Sequence, residues 1–250
     1  MFEFDNDLNI VNVLAKDYSI KDEGKIIDIT LRDDVYWHDG EKFTSEDVKF
    51  TIDTIKYGAI DSTYKNLILS GVKPFSSADI RHILDVKTTG DYSLEVVFDR
   101  SYSNGLEILT FPIIPKHVFS TGKNEKENYA NALAEDVKII GTGPYKLDEY
   151  EKLKAVKLKA NENWWNGKPY IEYITGKMLD DNSLVPTSFE AGQLDLANTM
   201  GVDWEKYAQN ERVKMYEYIS QNYEFLAFNF SKEMFQGEKG KAIRKAIAYG

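Results

Sequence analysis

The sequence predicts a mixed α/β fold, and three features carry that expectation. Short runs alternate apolar and polar residues, hairpin turns separate some of them, and other segments space apolar residues helically, in no strict strand–helix–strand order. Ile26–Arg32 is the first clear strand, with Ile27, Ile29 and Leu31 on one face. Asp39-Gly40 is a turn dipeptide. Thr44, with Asp47 three residues on, resembles a capping box and opens a helix over 45–57, along which Val48, Ile52 and Ile55 keep helical spacing. Ile83–Thr88 and Ser93–Phe98 make a hairpin through Thr89-Gly90-Asp91. Pro112 and Pro115 then interrupt the chain, and Pro115 suits the first turn of a short helix.

Beyond the most polar stretch, 121–134, Tyr145–Leu147 and Ala155–Ala160 read as paired strands and Tyr170–Met178 as another. Asn182–Ala191 reads as a helix closed by Gly192, and Val213–Ile219 and Tyr223–Phe230 as the last two strands. Lys241–Tyr249 places Ala242, Ile243, Ala246 and Ile247 on one helical stripe. A domain boundary is expected near the polar stretch, within 115–140.

Composition narrows the function. A net charge of −10 repels phosphate backbones and anionic lipid headgroups, which disfavours nucleic acid and an electrostatic membrane role. The absence of cysteine excludes disulfides, thiolate metal sites and cysteine nucleophiles. No apolar run approaches the roughly 18 residues of a membrane span, and the opening Met1–Asp5 is acidic, unlike an export signal.

Catalytic and cofactor patterns are missing as well. His38, His82 and His117 show no metal-ligand spacing, and no Gly-x-Ser-x-Gly elbow occurs. His38 and Asp39 are adjacent, so their side chains diverge, and His38 reads as a turn residue. The glycine-rich Gly141-Thr-Gly-Pro-Tyr145 is poor as a phosphate loop. Pro144 has no amide hydrogen, and the following residues alternate like a strand where a phosphate loop needs a helix. It reads instead as a tight crossing into a strand, its glycines admitting positive φ. The expectation from these residues is a chain that is not an enzyme and takes no cofactor or metal.

A family resemblance then enters through several segments in one order. They are Ile29–Gly40 (ITLRDDVYWHDG), Phe43–Phe50 (FTSEDVKF), Ile114–Val118 (IPKHV), Gly141–Leu147 (GTGPYKL), Ala160–Tyr170 (ANENWWNGKPY), Phe189–Leu196 (FEAGQLDL), Leu226–Asn229 (LAFN) and Ala242–Ala248 (AIRKAIA). Together they resemble the peptide/nickel-type, family 5 extracellular solute-binding proteins of ABC importers. The resemblance implies a partial periplasmic-binding-protein-like type II fold, with a small lobe over 1–120 and part of the first ligand-gripping lobe over 121–250. It further implies an export signal, a lipid anchor and a second gripping lobe outside these residues.

The resemblance also implies a short-peptide ligand or a related small solute, handed to membrane permease subunits outside the cytoplasm. The same scaffold serves as a ligand sensor in regulators, which is the alternative reading. Trp37, Asp39, Gly40, Gly141, Gly143, Pro144, Tyr145, Trp165, Gly167 and Pro169 become structural motif residues, as turn formers and aromatic anchors. Ligand contacts are implied for Tyr64 in the small lobe and for Asn222, Tyr223 and Glu224 at the opening of the hinge-side strand.

Overall fold

The computed structural model describes residues 1–57, 82–120, 124, 127, 139–179, 181, 183–198, 204–216 and 225–249. The chain divides into two compact units, Met1–Glu217 and Tyr218–Gly250.

In the first unit, β1 (Phe2–Phe4) and β2 (Ile10–Asn12) form a short antiparallel ribbon. The main sheet is antiparallel and ordered β3-β4-β6-β5, from β3 (Ala15–Lys21), β4 (Ile26–Leu31), β5 (Ile83–Gly90) and β6 (Ser93–Phe98). Period-two patterning sets its register. Ile27 stands opposite Val96 and Ile29 opposite Leu94, and all four are buried on the same face. Helix α1 (Ser45–Tyr57) packs against β5 and brings Val48, Ile52 and Ile55 into that core with Phe43, Phe98 and Leu109. On the sheet's outer face the like charges Asp28 and Glu95 are paired in register. Lys21 and Lys87 on the neighbouring strands each hold one of them in an ion pair.

The start of α1 follows its sequence signal in part. The Asp47 carboxylate accepts the Thr44 amide at 2.9 Å, which is half of a capping box. Pro115 stands immediately before the short helix α2 (Lys116–Phe119), at its N-cap. A second antiparallel sheet, β7-β8-β9, comprises β7 (Tyr145–Glu151), β8 (Ala155–Ala160) and β9 (Tyr173–Lys177). Helix α3 (Leu184–Glu190) ends at Gly192, whose φ of +71° favours glycine. Helix α4 (Trp204–Ala208) follows.

In the second unit, α5 (Gly237–Tyr249) starts four residues before the pattern that announced it. A Cβ on Gly240 would fall 2.2 Å from the Phe235 carbonyl carbon, so only glycine permits that close approach. The Arg244 guanidinium donates to the Phe235 carbonyl and lies over the Phe230 ring at 4.8 Å.

Several expectations differ from the structure. Strands β1 to β3 carry no clear sequence signal, because β1 and β2 are three residues each and β3 buries only Ala15. The strands expected over 213–219 and 223–230 do not form where described: Val213–Tyr216 and Phe225–Phe230 lack regular structure. Alternating composition is not sufficient for a strand, which also needs a partner for its backbone groups. The expected positive φ at Gly141 and Gly143 is also absent.

Candidate functional site

The four expected ligand-contact residues, Tyr64, Asn222, Tyr223 and Glu224, lie outside the described residues. The structure does bring together the motif residues around a polar joint, formed where the turn at 37–40 meets the crossing at 141–146.

The turn is closed from within. Trp37 N–H donates to the Glu41 carbonyl at 2.8 Å, Gly40 N–H donates to the Trp37 carbonyl at 2.9 Å, and Gly40 takes φ +98°, where glycine is favoured. The Trp37 ring is buried and meets Phe43 edge-on at 6.1 Å and His117 at 6.3 Å. Asp47 organises the layer beneath. Its carboxylate accepts from Thr44 N–H, from Lys116 N–H at 2.8 Å and from Trp37 Nε1–H at 3.4 Å, tying α1, α2 and the turn to one buried side chain. Thr51 adds a second tie between α1 and the α2 approach, accepting from Ile114 N–H at 3.0 Å and donating to the Asp47 carbonyl at 2.7 Å.

Across the joint, His38 holds the crossing from both sides of its ring. Gly141 N–H reaches Nδ1 at 3.2 Å, and Nε2 lies 3.0 Å from the Gly143 carbonyl. The backbones meet too, through His38 N–H to the Gly141 carbonyl at 2.9 Å and Lys146 Nζ to the His38 carbonyl at 3.1 Å. Buried Asn161 supports the crossing from the loop after β8. Its amide donates to the Pro144 carbonyl at 2.7 Å, and its Nδ2 donates to the Gly143 carbonyl at 3.2 Å.

These bonds leave little for an anion. The Gly141 amide is occupied by His38, Pro144 has none, and the crossing runs into strand β7 rather than a helix. A Cβ on Gly141 would stand 3.4 Å from Cε1 of His38, an ordinary contact, so neither space nor backbone conformation demands glycine there. Burial disfavours the charged imidazole, and the Lys146 ammonium adds to that effect. Both outweigh the Gly143 bond and the Asp39 charge, so the His38 pKa lies below its ordinary value. Asp39 is held below the usual carboxylate range. Burial opposes its ionisation, but the His117 Nε2 bond at 2.8 Å and the Glu41 amide outweigh it.

The remaining motif residues anchor the loop after β8. The Arg32 guanidinium, gripped by Asp34 at 2.9 and 2.6 Å, stacks 4.2 Å from the Trp165 ring centre. Gly167 closes its turn at φ +96°, and Tyr145 Oη–H donates to the Ile171 carbonyl at 3.0 Å. Pro169, half-buried, leads on towards β9. Sequence reasoning placed Asp47 beside Thr44 but missed its ties to Lys116 and Trp37, and it missed the parts played by His38, Thr51 and Asn161. Their partners stand up to 105 residues away, and no local pattern announces them.

Among the described residues no cluster of His, Asp and Glu could hold a metal, and no helix is long and apolar enough to cross a membrane. A small pocket of about 130 Å³ beside Ile10, Ile27, Tyr102 and Leu106 falls well below the roughly 300–1,000 Å³ of a ligand site.

The joint lies on a chain with many relatives. The curated relatives include the oligopeptide-binding protein AppA of Bacillus subtilis, 26% identical over 97% of this chain and 42% of its own length. The glutathione-binding protein GsiB of Salmonella paratyphi A is 24% identical over 100% of this chain and 45% of its own length. The chain thus spans less than half the length of these two relatives. Among solved structures, NikZ from Campylobacter jejuni in complex with Ni(L-His) matches with a TM-score of 0.68 at 26% identity, over 84% of this chain and 39% of that one. AppA from Bacillus subtilis in complex with a nonapeptide matches in fold with a TM-score of 0.70 at 23% identity, over 84% of this chain and 39% of its own. These likenesses place the mixed α/β architecture, in part, in the type II periplasmic-binding class. The family model "Bacterial extracellular solute-binding proteins, family 5 Middle" matches residues 9–250, and the chain belongs to that family.

Proposed function

We propose that this chain is part of the substrate-binding component of an ABC importer, which captures a short peptide or related small solute outside the membrane and delivers it to permease subunits. The family match over residues 9–250 carries this reading, and the relatives named for oligopeptide and glutathione binding favour a peptide ligand. Function on this reading lies in two lobes closing on the ligand and opening to release it, with no bond chemistry. Tyr64, Asn222, Tyr223 and Glu224 supply contacts to an extended peptide, which such proteins hold largely through main-chain hydrogen bonds. A lipid anchor on the outer face of the membrane fits the same role. Mass spectrometry of small molecules co-purifying with the protein expressed from its whole reading frame tests the reading. Short peptides are the expected finding. Recovery of a nucleotide, or measurable turnover of a recovered molecule, would overturn it.

The lobe break belongs to the same proposal. We place it within 115–140, where the polar run 121–134 separates a small lobe over 1–120 from gripping-lobe residues over 121–250. Limited proteolysis should nick 121–134 before either flank. Earlier cleavage inside 144–160 would count against that boundary, since those residues are tied into β7 and β8.

A further inference from the structure

His38 is held by two backbone groups whose roles are chemically fixed. The Gly141 N–H can only donate, so Nδ1 must be the acceptor. The Gly143 carbonyl can only accept, so the ring proton must sit on Nε2. Both bonds are satisfied by one species, the neutral imidazole protonated on Nε2. A second proton would have to go onto Nδ1, where it would meet the Gly141 N–H head-on. The ring is half-buried and bonded through both nitrogens, so the cost of that second proton falls on the Gly141 bond.

We propose that His38 is an acid-sensitive latch, fastening the 141–146 crossing to the 37–40 turn only while its imidazole is neutral and releasing it on protonation. On the other side of the same turn His117 Nε2 lies 2.8 Å from an Asp39 carboxylate oxygen, so the turn keeps a fastening to α2 that does not pass through His38.

The charges around His38 are few. Asp39 and Glu41 share its turn, and Asp39 favours the cation. Lys146 on β7 opposes it. His117 on α2 is committed to Asp39, and Asp47 on α1 to Thr44, Trp37 and Lys116. Asn161, which shares the Gly143 carbonyl, is neutral. Burial and Lys146 keep the folded pKa below the ordinary value of about 6.5. In that interval the unfolded chain binds a proton that the folded ring refuses. The latch is therefore fully stable above about 6.5 and weakens as pH falls towards the lower folded value. This holds whether or not the chain carries solute.

The test is nuclear magnetic resonance on the ¹⁵N-labelled chain between pH 8 and 5. At neutral pH the His38 ring should show an unprotonated Nδ1 and a protonated Nε2. Its titration midpoint should lie below about 6.5, and protection of the Gly141 amide against hydrogen exchange should fall with that midpoint. The fall should reach about tenfold for each unit by which the midpoint lies below 6.5. His38→Asn keeps an acceptor for the Gly141 amide that cannot titrate, so protection there should no longer follow pH over this range. A proton on Nδ1 at neutral pH, or Gly141 protection unchanged while the ring titrates, would overturn the latch. So would a His38→Asn chain with the wild-type pH response. Should that variant fail to fold, the ring and amide signals of the wild-type chain decide the matter.

Discussion

Replacing Asp47 with alanine should lower the unfolding free energy by about 3 kcal/mol, from the loss of two short hydrogen bonds to a charged group at about 1.5–3 kcal/mol each, combined less than additively. The Thr44 and Lys116 amides at 2.9 and 2.8 Å carry that effect, and the Trp37 Nε1 contact at 3.4 Å adds little. The side chain is buried at 4% exposure, so water cannot readily replace the lost acceptor. Urea unfolding followed by tryptophan fluorescence reads the loss. Thermal melting should shift by about 6–12 °C at the slope expected for a domain of this size. Asp34→Ala is the comparison, because it removes an ion pair whose carboxylate side chain is 52% exposed. Its cost should stay below about 1 kcal/mol. Equal losses from the two variants would show that Asp47 does not organise the joint.

A peptide that the proposed carrier holds at micromolar strength should bind these 250 residues no tighter than about millimolar, a thousandfold loss. The relatives are more than twice as long as the region matched, with 42% and 45% of their lengths covered. A carrier that buries its ligand between two lobes draws contacts from both. Withholding one wall removes several hydrogen bonds, each worth about 0.5–1.5 kcal/mol. That is enough to take binding from about −8 to about −4 kcal/mol. Calorimetry with a mixed peptide pool should show no saturable heat below about millimolar. Tight one-to-one binding would place the whole pocket within this chain and sink the two-lobe reading of its ligand site.

Much of the architecture was legible in the sequence because local pattern and burial agree there. The faces of β4 and β6, the start of α1, the β5–β6 hairpin and the closure of α3 at Gly192 all follow from spacing and turn chemistry within a few residues. The family segments were legible for the same reason, since turns and aromatic anchors leave contiguous residue patterns. Legibility failed where structure depends on distant partners. Strand β3 exposes six of its seven residues and exists because β4 pairs with it, while Val213–Tyr216 alternates without becoming a strand. The glycines of the crossing show the same limit. Sequence suggested a positive φ at Gly141, and the structure gives instead a backbone amide bonded to the His38 ring.

The sequence by itself determined the mixed α/β class, the family and the identity of the turn and crossing motifs. The class and the motifs rest on short-range periodicity and on residue types that only certain backbone conformations accept, and the family rests on the resemblance of ordered contiguous segments. Only the tertiary structure decided what the motifs do to one another. Residue 38 meets residues 141 and 143, and residue 47 meets residue 116, across spans that no local pattern encodes. The proton position on His38 is the sharpest case. The sequence supplies an imidazole able to carry its proton on either nitrogen, and two fixed backbone groups, one donor and one acceptor, select which nitrogen holds it.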